Sequence, residues 1–317
     1  MLYKKILGLI LISALSAFLF VACDETTATE DPVPKPISNL MATSIDSATV
    51  ALKFDASPSE IEALFKEYVV EITPGTFSPI IIPKGTTIAN ITGLPEIKEY
   101  TFSIKAVFSN GKASVPVSVK WAPAHRYNFS IRVYEYASSR GSGLVFQDDD
   151  GQPRTLTAAS NVRWDICLDT RNNVYQIGSP KASDYTDDKG NYNNNDQPAR
   201  NLDIYKVVDN VDKLSDVFDS QGIDKNPNPL QKMVDFTTKT KGFVLFVKSY
   251  PPGNPAGNFA KVFVTAKNGV ILQGTAPDRY VELEVSYQKT PGLPYALTNK
   301  NNSPAPVIRK NVNAEVR

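Results

Sequence analysis

Two cysteines and a single histidine bound the nucleophilic and proton-transfer chemistry open to this 317-residue sequence. Cys167 stands between two acids in the run Val162-Arg163-Trp164-Asp165-Ile166-Cys167-Leu168-Asp169. Read as a strand, the run puts Val162, Trp164, Ile166 and Leu168 inward and Asp165, Cys167 and Asp169 on the opposite face. Flanking carboxylates disfavour a thiolate, so Cys167 is expected to be inert. Asp165 and Asp169 would stand ~13 Å apart, too far for the paired carboxylates of a glycosidase. His125 follows Pro123 at a Pro-bounded junction and has no nucleophile or orienting acid beside it, which suits a surface or interdomain role. The run Asp148-Asp149-Asp150-Gly151 reads as a solvated turn without the spacing of an EF-hand. Asp184, Asp187, Asp188, Asn191, Asn193 and Asp196 around Gly190 form a richer oxygen cluster, open to calcium or to a mobile polar loop. With no motif for a nucleophile, base or metal, the expectation is a non-catalytic protein. A carbohydrate-active hydrolase would require the fold to assemble carboxylates that the sequence order does not display.

Cys23 belongs to a different chemistry, set by what precedes it. Lys4 and Lys5 lead an apolar run from Ile6 to Val21, the pattern of an export signal, and the junction reads Phe20-Val21-Ala22-Cys23. This junction resembles the lipobox of bacterial lipoproteins. The resemblance implies a signal peptide over 1–22, removal before Cys23, and a diacylglycerol on the Cys23 thiol. Lipidation leaves Cys167 as the one remaining thiol, so no intramolecular disulfide can form. Residues 23–36 are acidic, Thr-rich and Pro-rich, a flexible tether ~40 Å long when extended. Asp24 and Glu25 directly after the cysteine are compatible with inner-membrane retention under one sorting rule and with surface export under another; the outer membrane or cell surface is the favoured expectation.

From Ile37 to Ala122 short alternating runs replace the tether. Val50, Leu52 and Phe54 would face inward with Thr49, Ala51 and Lys53 outward. Tyr68, Val70 and Ile72, then Tyr100, Phe102, Ile104 and Ala106, then Val115, Val117, Val119 and Trp121 repeat the two-residue period. Asn110-Gly111 marks a tight hairpin. Thr92-Gly93-Leu94-Pro95, followed by Glu99-Tyr100-Thr101-Phe102-Ser103-Ile104-Lys105-Ala106-Val107, resembles the signature of fibronectin type III domains. That resemblance implies a seven-stranded Ig-like sandwich over 37–122, with Tyr100 making the tyrosine corner and Leu94 plugging one end. The sequence departs from the family in strand B, where Leu52 or Phe54 replaces a core Trp, and it lacks an Arg-Gly-Asp loop.

Residues 126–290 read as a second antiparallel β-rich domain. Tyr127, Phe129, Ile131 and Val133 alternate with polar partners. A short helix is expected near Asp209–Gln221, and strands over Phe243–Lys248, Phe259–Ala266 and Tyr280–Gln288 form a closing meander. Residues 291–317 read as a partly disordered tail. The order of the Trp164-Asp165-Ile166, Phe243-Val244-Leu245-Phe246-Val247 and Phe259-Ala260-Lys261-Val262 strands is similar to HmuY-like lipoproteins. The similarity implies an all-β fold with a ligand site at one end of the sheet. Haem does not carry over with it, because the founding member's paired histidine ligands have no counterpart here; Met233 or a Tyr would have to serve.

Lys plus Arg number 34 against 33 Asp plus Glu, so no basic field attracts nucleic acid. The sequence therefore reads as an all-β envelope lipoprotein: a fibronectin-like spacer, a second β domain with a short helix, and an extracellular or envelope ligand that is a glycan, a protein or haem. Its expected partner at the N-terminus is a membrane. No cofactor is required.

Overall fold

The two-residue period of the sequence is built into two stacked sandwiches. The structure is a computed structural model that describes residues 31–127, 130–193, 197–214, 217 and 231–293. In the first sandwich, β1 (Ser38–Asp46), β2 (Thr49–Asp55) and β5 (Ile88–Ile91) form one antiparallel sheet in the order β1-β2-β5. Between them in sequence come β3 (Phe65–Thr73) and β4 (Ile80–Pro83); with β6 (Tyr100–Phe108) and β7 (Val117–Trp121) they form the second sheet, β4-β3-β6-β7. This three-plus-four order is the one a fibronectin type III sandwich requires. Strand β6 shows why it forms: Tyr100, Phe102, Ile104, Ala106 and Phe108 are buried and the residues between them are not. The Tyr100 hydroxyl donates to the Glu96 carbonyl at 3.1 Å, the bond of a tyrosine corner, and Leu94 is buried at that end.

Two details differ from the alternation. Val115 precedes β7 and is 69% exposed instead of facing the core. Thr49 and Ala51, expected outward on β2, are buried, as is Thr43, which pairs with Ala51 across the sheet. The β1-β2-β5 sheet is thus covered on both faces.

Among the described residues the second sandwich holds eleven strands: β8 (His125–Arg126), β9 (Ile131–Tyr134), β10 (Gly143–Val145), β11 (Arg154–Leu156), β12 (Ile166–Asp169), β13 (Gln176–Gly178), β14 (Leu202–Val211), β15 (Met233–Asp235), β16 (Gly242–Ser249), β17 (Asn258–Val264) and β18 (Tyr280–Tyr287). One sheet runs β14-β16-β17-β18, with β8 and β9 both pairing with β18; the other runs β11-β10-β12-β13-β15. Their facing rows, among them Leu245, Val262, Leu283, Ile166 and Ile177, make one core. Here too the sequence reading needs correction. Residues Ala158–Arg163 turn in 3-10 geometry, so the strand begins only at Ile166. Small and polar residues over 158–161 have little to gain from a pleated sheet. Trp164 consequently leaves the face of Ile166 and Leu168 and packs with Cys167, Tyr185 and Tyr192 in a separate cluster. Its indole fills the space over Gly143, where an added Cβ would lie 2.1 Å from the ring. The helix expected over Asp209–Gln221 cannot start before Asp212, because Asp209–Val211 end strand β14; residues 215, 216 and 218–221 lie outside the described residues.

The two sandwiches share apolar surface. The first core continues into Tyr205, Val211, Leu214 and Val217 and into Val244, Phe246, Phe259 and Phe263 on the outer face of β16 and β17. All seven residues of β17 are therefore buried, Lys261 included. The Lys261 ammonium donates to the carbonyls of Leu214 at 3.2 Å and Val217 at 3.3 Å. The peptide joining the sandwiches is equally fixed. Ala122 and Ala124 are buried, the Ser44 hydroxyl donates to the Ala122 carbonyl at 2.6 Å, and Gln288 Nε2 donates to the Pro123 carbonyl at 2.9 Å. Domain motion is the default where an interface is small and polar; this junction is neither.

Candidate functional site

The chemistry-bearing residues singled out by sequence go to structural tasks. Cys167 is fully buried, and burial, followed by the Asp169 carboxylate, pushes its thiol up. Asp165 is a buried tie between the sheets: one oxygen accepts from Phe146 N at 2.8 Å, the other from Ser249 Oγ at 2.6 Å and Arg200 Nη1 at 3.0 Å. Asp169 accepts from Arg171 through both oxygens and from Asp184 N at 2.8 Å. Asp148, Asp149 and Asp150 stand in an exposed turn, the Asp149 side chain 96% exposed, and are ion-paired with Arg154 and Arg163. Asp187 closes its own turn by accepting from Lys189 N and Asn191 N, and Asp184 accepts from Asn172. Among the described residues no three His, Cys, Asp or Glu side chains stand close enough to hold a metal ion, Asp184, Asp187 and Asp188 included. Asp196 and Cys23 lie outside the described residues. His125 sits half-buried in β8, opposite Tyr287, where burial and then Lys289 hold its imidazole below the ordinary range.

A cleft of about 260 Å³ opens at the other end of the second sandwich. The register of β18 fixes that placement: Tyr287 pairs with His125 at the junction, whereas Tyr280 pairs with Tyr134 at the far end. The cleft is lined by Tyr175, by Phe236, Thr237, Thr238, Lys239 and Thr240 between β15 and β16, by residues 269–272 between β17 and β18, and by Arg279. Its polar anchor is rigid. Arg279 Nε and Nη2 donate to the carboxylate of Glu135, at 2.6 Å for the shorter contact to Oε2, and Nη1 donates to the Tyr175 hydroxyl at 3.2 Å. Burial pushes the Glu135 carboxyl up, but the Arg279 hydrogen bonds outweigh it and hold the group below the usual carboxylate range. The Arg279 guanidinium also lies 5.4 Å from the Tyr175 ring centroid, and Thr237 Oγ1 accepts from Tyr175 N at 2.9 Å. The Tyr175 ring, a fixed cation and Thr237, Thr238 and Thr240 thus line one concave surface, with Phe236 buried behind it. Neither His125 nor Met233 lines it.

No protein-family profile and no curated protein matches the chain. Among solved structures, the fifth fibronectin domain of Drosophila Lar aligns at 20% identity over 29% of this chain and 98% of that one, with a TM-score of 0.22. A two-domain fibronectin type III segment of chicken tenascin aligns at 14% identity over 81% of this chain and all of that one, with a TM-score of 0.25. The fibronectin-type arrangement of the first sandwich stands on its own strand order and on the Tyr100–Glu96 bond.

A second aromatic surface lies on the loops of the second sandwich. Arg171, held by Asp169, stacks 4.0 Å from the Tyr185 ring and 5.4 Å from the ring of Tyr136, which is 47% exposed. The hollow beside it, about 40 Å³, is too shallow to enclose a ligand. Sequence reasoning missed Glu135, Tyr175, Phe236 and Arg279 because each lies at the edge of a strand or in a connection, where no periodicity marks it. The Thr237-Thr238-Lys239-Thr240 run was the available signal: polar, short and placed between two strands.

Proposed function

We propose that this chain is a lipid-anchored, non-catalytic binding protein of the bacterial cell envelope, displayed on the outer membrane or cell surface, whose second sandwich binds carbohydrate. The observation that carries the reading is the far-end cleft, with its half-buried Tyr175 ring, its threonines and the Glu135-fixed Arg279. A sugar presents an apolar C–H face to an aromatic ring and hydroxyls to polar side chains, and the cleft offers both. Its volume of about 260 Å³ falls just below the range of small-molecule sites, which run from about 300 to 1,000 Å³. That size suits a terminal sugar. The lipobox-like junction at Cys23 supports the anchor, and the fixed joint between the sandwiches supports a presenting role for the first.

Haem is the alternative that the HmuY-like similarity raises. Its support here is the tyrosine at the cleft; its difficulty is a cleft too small to enclose a porphyrin, with no imidazole or thioether in its lining. The two readings separate in one experiment. The chain from Cys23 onward is applied to an array of glycans and titrated with haemin, beside Tyr175→Ala. Glycan binding that the substitution weakens by at least tenfold, with a flat haemin titration, supports the proposal. A saturable one-to-one Soret shift with no glycan bound would overturn it.

A further inference from the structure

The end of the first sandwich that receives the tether is apolar at its surface. Register places the start of β1, the end of β2, the start of β3 and the end of β6 together, since Ser38 pairs with Asp55 and Phe65 with Phe108. Between β2 and β3 lie Ile61, 91% exposed, and Leu64, 39% exposed; between β6 and β7 lies Val115, 69% exposed. The two connections are tied, because Ser109 N donates to the Leu64 carbonyl at 2.8 Å. Among the described residues from Pro34 onward only three other large apolar side chains are exposed, Tyr136, Val174 and Val270, all in the second sandwich. Single exposed apolar residues are ordinary, but half of them gathered at one end of one domain are not.

The chain leading to Cys23 leaves from this same end. Lys35 N donates to Ser59 Oγ at 3.0 Å, and Ser57 Oγ donates to the Lys35 carbonyl at 2.6 Å, so the incoming strand is fastened to the turn that carries Ile61. Twelve residues on, at most ~40 Å of extended chain, Cys23 would enter the bilayer. Charges at this end are nearly balanced, with Lys35, Lys66, Lys84 and Lys112 set against Glu60, Glu62 and Glu67. Apolar contact, not headgroup charge, would then govern any approach to the lipid.

We propose that this end of the first sandwich, Ile61 and Leu64 foremost, rests in the interfacial layer of the bilayer that holds Cys23. Val115, set back from the tip by about three residues or ~10 Å, falls within the depth of about 5–10 Å to which interfacial apolar faces bury. The contact orients the molecule on the membrane. The inference rests on the lipid-anchored reading, and its test supplies the anchor chemically so that the two fail separately.

The chain from Cys23 onward is coupled through the Cys23 thiol to maleimide-lipid vesicles; buried Cys167 does not compete. Ile61→Trp and Val115→Trp are compared with Val270→Trp, at the far end of the second sandwich, for fluorescence quenching by brominated acyl chains. Trp121 and Trp164 are buried and report that each variant is folded. The contact predicts quenching of the Ile61→Trp signal several-fold above that of Val270→Trp, with little change on added salt. Equal quenching of the two, or quenching abolished by salt, would overturn it.

Discussion

At the scale of single residues, Tyr100 separates two tasks. Its ring is buried in the first core while its hydroxyl reaches the Glu96 carbonyl at the sandwich end. Tyr100→Phe keeps the ring and removes one hydrogen bond, so urea unfolding should show a loss of ~1 kcal/mol. Tyr100 and Leu94 were legible from sequence because a local signature, Thr92 to Pro95 and then an alternating strand, names them. Trp164 was not. Its direction depends on Gly143, twenty-one residues earlier in the chain, whose missing side chain leaves the space the indole fills. Cys167 was read as inert from its acidic neighbours, and Asp169 does raise its thiol, but complete burial is the larger cause. The cleft residues were the least visible. Tyr175 and Arg279 meet only because two connections, 104 residues apart, end at the same edge of the sandwich.

At the scale of elements, strand bounds were readable to within a residue or two, as β16 and β18 illustrate. What alternation could not supply was the covering of outer faces. Thr43, Ala51, Phe259 and Lys261 point away from their own cores and are still buried; Phe259 joins the apolar cluster the two sandwiches share, and Lys261 lies under Leu214 and Val217. The joint between them gives a test. Ser44 Oγ accepts from Trp121 Nε1 at 3.0 Å while donating to Ala122, so Ser44→Ala leaves a buried indole N–H without that acceptor. A destabilisation of about 1–3 kcal/mol is expected in urea unfolding. Lys261 gives a second test, through pH. Burial, then Arg126, lowers its ammonium well below the ordinary lysine range in the folded state. The unfolded chain holds that proton up to about pH 10.4, so over the intervening window it binds more protons than the folded one. Stability should therefore rise with pH toward about 10, and Lys261→Met should flatten the rise. A slope unchanged by the substitution would remove Lys261 as its source.

At the scale of the whole molecule, the described residues run from a sandwich whose outer end carries exposed Ile61, Leu64 and Val115, through a fixed joint, to a second sandwich with its cleft at the end away from that joint; the proposed anchor at Cys23 precedes them in the chain. The all-β class was available from composition, turn residues and the two-residue period. The packing of one sandwich on the other was not, since an apolar residue in sequence does not say which surface will cover it. The proposed lipid anchor is tested by intact mass spectrometry of the N-terminal peptide from the full-length chain expressed in a bacterium, beside Cys23→Ala. A lipid anchor predicts a mature N-terminus at Cys23 carrying diacylglycerol and acyl mass, and an unprocessed, unlipidated chain in the variant. A wild-type chain that keeps residues 1–22, or that begins elsewhere without lipid, would contradict it.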